Sequence, residues 1–204
     1  MNYRGIVVGG VKIVLLALAV LNILHIFAQS PVMNAGLRMP GVAGDWRTDG
    51  VGFVYERSVY FRERAVEFLV AAAEADPESV GEEERFALLD AALEAATRSV
   101  AAAPADASAW LLLAWTQSLL GEEAAAMDAL ARSWQLAPNS LALALDRVVI
   151  AETLALGAET APAIAAAVRR DVEILEASGG RPWATARQAA PGIVDRFAPA
   201  EEST

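Results

Sequence analysis

The 204-residue chain has no cysteine, a single histidine and a single lysine. Without cysteine there are no disulfides, thiolate metal sites, iron-sulfur clusters or cysteine nucleophiles. The compartment stays open, because a cysteine-free chain tolerates either redox environment. The one histidine, His25, lies inside an apolar stretch, which excludes a Ser-His-Asp triad or a histidine metal site from the remainder. Basic charge is scarce as well: sixteen bases face twenty-six acids, for a net charge of −10. No acid precedes residue 31 whereas Arg4 and Lys12 do, so the rest sets fourteen bases against all twenty-six acids, a balance of −12. A field of that sign makes nucleic acid a poor partner and opposes docking on anionic lipid. No spacing of carboxylates resembles a calcium loop, and Gly9-Gly10 opens no phosphate loop because an apolar segment follows. The chain therefore reads as a non-enzyme with no catalytic residues, no metal site and no cofactor.

What the chain does have is an apolar start and a long helical remainder. Residues 5–28, GIVVGGVKIVLLALAVLNILHIFA, contain no acid and one base. About twenty helical residues cross a hydrocarbon layer of roughly 30 Å, so residues 1–30 are expected to be a transmembrane anchor. The competing reading is a cleaved signal peptide, for which Ile26 and Pro31 make poor cleavage sites. With Arg4 and Lys12 held on the cytoplasmic side, the expected topology is a single pass through a bacterial inner membrane with the C-terminal part periplasmic. Gly5, Gly9, Lys12, Leu15, Ala19, Asn22 and Ile26 gather small and polar character on one face of this segment. Such a face predicts packing on another membrane helix, from a second copy or a polytopic partner.

Residues 31–52 hold prolines and glycines without a sustained period and read as a linker. Helical periodicity then predicts helices near 53–75, 82–102, 107–119, 122–136, 140–156 and 161–177, within a domain spanning 53–180. Gly121, Pro138, Gly157 and Ser178-Gly179-Gly180 punctuate them, and Thr160 ahead of Pro162 signals a helix start. Residues 181–204 read as a tail with short helices near 183–189 and 192–197.

Residues 107–140, ASAWLLLAWTQSLLGEEAAAMDALARSWQLAPNS, carry a more specific pattern. Trp110, Leu113, Ala114, Gly121, Ala126, Leu130, Ser133 and Pro138 stand in an order that resembles one unit of the tetratricopeptide (TPR) family, a 34-residue helical hairpin. Gln117 departs from it, standing where an aromatic is usual. After Ser140 the register fails, with Ala144 and Arg147 where Trp and Leu would be expected. With the apolar start, the resemblance leads to an expected all-α fold: a single N-terminal transmembrane helix followed by a short, irregular TPR-like stack of antiparallel helices. It also implies that Trp110 fills the hairpin interior while Trp115, with Ser108, Leu111, Ser118 and Leu119, lines a concave partner-binding groove. A neighbouring helix covering Trp115 is the alternative.

The expected function is accordingly a membrane-anchored protein-protein interaction module or scaffold of the bacterial cell envelope, an accessory to surface polysaccharide export or envelope assembly. Its partners would be other envelope proteins, and the bilayer through the N-terminal helix. The rival expectations are a subunit of a membrane complex bound through its transmembrane helix, and a periplasmic solute- or glycan-binding protein.

Overall fold

Alanine and serine at helical spacing let neighbouring helices approach closely, and this fold is built largely on such approaches. The computed structural model describes residues 51–75, 81–157 and 160–198, where every regular element is an α-helix. In chain order these are α1 (Val51–Glu74), α2 (Glu82–Ala102), α3 (Ala107–Leu119), α4 (Glu123–Leu136), α5 (Leu141–Thr153), α6 (Pro162–Ser178), α7 (Gly180–Ala189) and α8 (Pro191–Phe197).

The helices pack in successive pairs. Helices α1 and α2 meet through buried Ala65, Ala72, Ala92 and Ala96. The start of α1 lies against the end of α2, where Ser58 and Ser99 each donate to the other's backbone carbonyl at 3.0 Å. These reciprocal bonds satisfy two hydroxyls at zero exposure and set the pair antiparallel. Helices α3 and α4 repeat the device, with Ala109, Ala114, Ala126 and Ala129 buried and Ser133 Oγ donating to the Ala107 carbonyl at 2.9 Å. Helix α3 is central, touching α1, α2, α4 and α5. Helices α5 and α6 form the third pair, and α7 and α8 close over both.

Helix ends follow local chemistry. Three glutamates, Glu82 to Glu84, open α2 at the positive end of its dipole. Asp106 caps α3 by accepting from the Ser108 N–H at 2.9 Å. Gly121, at φ 78°, ends α3 in a Schellman turn, with the Glu122 N–H on the Gln117 carbonyl and its own N–H on Ser118. Helix α5 ends in the same turn with Ala155, at φ 50°, in the glycine position. The Thr160 hydroxyl accepts from the Gly157 N–H at 3.0 Å and braces the loop instead of capping α6, whose cap position is Ala161.

The expected membrane anchor is corrected. Among the described residues no helix is long and apolar enough to cross a membrane. Helix α1 has the length, at 24 residues, but it carries Arg57, Arg62, Glu63, Arg64, Glu67 and Glu74. Helix α3 has the apolar character, but 13 residues span only about 20 Å. Residues 5–28, with the packing face Gly5, Gly9, Lys12, Leu15, Ala19, Asn22 and Ile26, lie outside the described residues. Lipid contact through a spanning helix and single-pass inner-membrane placement therefore find no support in the structure. The range read as a tail contains α7 and α8, whose Ala186, Ile193, Val194 and Phe197 are buried in the same core as α3 and α5.

Candidate functional site

The residues expected to line a groove are distributed over an internal helix. Trp115 is 4% exposed and Leu111 is buried beside it, both within the common core. The Ser108 hydroxyl accepts from Arg62 of α1 and donates to Asp106 at 2.6 Å. Arg62 also meets the Asp106 carboxylate at 2.7 Å, so this cluster ties α1 to the cap of α3. The Ser118 hydroxyl turns back to the Trp115 carbonyl at 2.7 Å, and Leu119 packs on the core. Trp110, expected in the hairpin interior, is only partly buried, and its indole donates to the Pro104 carbonyl at 2.8 Å. Trp115 is thus enclosed, in line with the alternative of a neighbouring helix covering it, and Trp110 is the less buried of the two; α1 and α5 both pack on α3.

Two other constellations stand out. The first is sealed in the interior, where Arg147 of α5 and Asp171 of α6 both have zero exposure. The Arg147 guanidinium closes the carbonyl end of α4: Nη2 donates to the Ser133 carbonyl at 2.7 Å, Nη1 to the Ala137 carbonyl at 2.9 Å, and Nε to Ser133 Oγ at 3.1 Å. A cation at the negative end of a helix dipole is favourable, and here every nitrogen has a partner. Burial still lowers the Arg147 pKa from its ordinary value, against the attraction of Asp171 and Asp146. Asp171 accepts from the Trp134 indole at 2.6 Å through Oδ2, while Oδ1 makes no hydrogen bond and lies 3.8 Å from Arg147 Nη1. Desolvation dominates its balance and pushes the Asp171 carboxyl up to about 7, against the Trp134 bond and the charges of Arg147 and Arg170. The sequence signal for this cluster was Arg147 itself, a cation at a register position that wants a large apolar side chain.

The second constellation is on the surface of the first pair. Along α1, Arg57, Phe61, Arg64 and Phe68 follow at spacings of four, three and four, which places them on one face. Arg57 and Arg98 of α2 stack on the Phe61 ring at 5.8 and 5.6 Å from its centre, and Arg64 stacks on Phe68 at 4.9 Å. Tyr60 meets Phe61 edge-on at 5.4 Å and is 56% exposed. Arg64 and Arg98 also pair with the exposed Glu67 and Glu94 of their own helices. Among the described residues no group of three histidine or carboxylate side chains could hold a metal ion.

No family model, no curated protein and no solved structure matches the chain. The fold class is therefore stated from the structure alone, as an all-helical domain of packed helix pairs. The resemblance to the tetratricopeptide family is corrected by this absence of any matching family model. The residues that suggested it, Ala114, Gly121, Ala126 and Ser133, serve what any tightly packed hairpin needs, namely small contacts and a left-handed turn. Such features do not distinguish one helical family from another.

Proposed function

We propose that this domain is a non-catalytic binding module that receives an acidic segment of another protein on the outer face of α1 and α2. The observation that carries this reading is the alternation of arginine and aromatic rings along that face, with Tyr60 more than half exposed. The rings supply apolar contact, while stacking engages the face of a guanidinium and leaves its edge able to bind carboxylates, as Arg64 and Arg98 bind Glu67 and Glu94. Their present partners Glu67 and Glu94 are exposed, and exposed pairs of this kind contribute about 0–1 kcal/mol, so incoming carboxylates can replace them at little cost. The net charge of −10 opposes an acidic ligand at long range, so the attraction rests on the local contacts of Arg57, Arg64 and Arg98 and on the rings beside them. This reading contains neither a membrane anchor nor a role in envelope assembly or polysaccharide export.

The test is titration with a synthetic peptide of glutamate and leucine, followed by fluorescence anisotropy. The intact chain should bind it with an affinity that falls as salt rises. Arg57→Glu with Arg64→Glu should weaken binding at least tenfold while leaving the melting temperature within a few degrees. Equal affinity of the double variant and the original chain would overturn the proposal.

A further inference from the structure

Helix α4 packs closely on α3 alone and reaches the C-terminal helices through long side chains. Trp134 extends from α4 to Asp171 of α6, and Arg147 extends from α5 to the end of α4. The connection between the α3–α4 pair and the α5–α6 pair on this side thus carries a buried polar seam within the apolar core that Leu130, Trp134, Val168 and Val172 share. The seam has an internal mismatch. The four hydrogen bonds from Arg147 go to Ser133 and Ala137, and Asp171 Oδ1, 3.8 Å from Arg147 Nη1, makes no hydrogen bond at zero exposure. A buried carboxylate oxygen without a donor is costly when the group is ionised and much less so when it is neutral.

We infer that the Trp134–Asp171–Arg147 cluster is a proton-controlled seam: a protonated Asp171 keeps α6 fastened to α4, and ionisation places between them a buried carboxylate with one oxygen lacking a hydrogen-bond donor and loosens the contact. The charged groups acting on the carboxyl are Arg147 from α5 and Arg170 from α6 itself, while Asp146 of α5 acts on Arg147. Helix α4 faces it with the neutral Trp134 indole, and α7 and α8 contribute none of the charges that shift it. The upward displacement of this carboxyl, from an ordinary 3.8 to about 7, places the change near neutrality. Because the folded pKa lies above the unfolded one, the packed state holds a proton that the open state releases. The resulting stabilisation is complete below about pH 3.8 and is lost as pH rises to about 7.

Two measurements on the full chain test this. The Asp171 Cγ resonance should titrate with a midpoint near 7, and a midpoint below 5 would overturn the inference. Amide hydrogen exchange, corrected for intrinsic rates, should show the opening constant of α6 rising by up to about tenfold per pH unit between pH 5 and 7, then levelling off. In Asp171→Asn the same amides should be flat across this window. An identical pH dependence in Asp171→Asn would sink the inference. So would α1 and α2 amides that follow the α6 curve, because the proton would then govern unfolding of the whole domain. Should Asp171→Asn fail to fold, the original chain decides alone: coincident midpoints of the Cγ shift and α6 exchange support the seam, and separate midpoints overturn it.

Discussion

Arg147 has a partner for every nitrogen, whereas Asp171 beside it has one oxygen with no hydrogen bond, and this asymmetry governs how each responds to substitution. Arg147→Met would leave the Asp171 charge buried and the α4 carbonyls unmet, at an expected cost of about 3–5 kcal/mol in urea unfolding at pH 8. Adding Asp171→Asn should recover part of that loss, since the stranded charge disappears; a strictly additive pair would show that the two do not interact. The tryptophans offer a second comparison. Trp115→Ala should cost about 3–5 kcal/mol, as deletion of a buried ring, and Trp110→Ala less, because that ring is partly solvated. Equal losses would contradict the difference in burial between the two rings, and a smaller loss at Trp115 would contradict its placement inside the core. The sequence alone suggested the opposite ranking, since a hairpin considered by itself does not reveal which neighbour lies over each face.

At the level of elements, two helices end in the same turn with different residues in the left-handed position. Gly121 adopts φ 78° without strain, whereas Ala155 at φ 50° carries a Cβ that crowds the backbone. Ala155→Gly is therefore expected to raise stability by roughly 0.5–1 kcal/mol and Gly121→Ala to lower it by about 1 kcal/mol, both read from thermal unfolding. Opposite signs are the informative result, and two changes of the same sign would refute the shared turn. Helix α8 depends on a distant cap: the Glu152 carboxylate accepts from the Ile193 N–H at 2.7 Å and the Gly192 N–H at 3.3 Å. A Cβ on Gly192 would fall 2.9 Å from a Glu152 oxygen, so Gly192→Ala should displace that cap and loosen α8, seen as faster amide exchange from Ile193 to Phe197. Most helix bounds were legible because proline, glycine and clustered acids act within one turn of where they stand, as at Pro104, Gly121 and Glu82 to Glu84. The Glu152 cap was not, because its two halves are 40 residues apart.

On the scale of the whole molecule, α7 and α8 complete the core of α5 and α6, and Arg196 donates from α8 to the Leu156 carbonyl. Burial of Ile193, Val194 and Phe197 contributes on the order of 5 kcal/mol, so a chain ending at Ser178 should unfold at a markedly lower urea concentration than the full chain. An unchanged midpoint would mean that the last two helices are dispensable. By itself the sequence determined the all-helical class of the described residues, close approximations to their helix bounds, and the acidic balance that disfavours nucleic acid, since these follow from local periodicity, punctuation and net charge. Tertiary structure decided which tryptophan is inside, where Arg147 and Asp171 find each other, and that the last helices belong to the core. It also decided which aromatic and arginine side chains share the open face of α1 and α2. The physical reason is range: periodicity and capping act within one or two helical turns, whereas burial and ion pairing depend on which distant helix arrives on the other side.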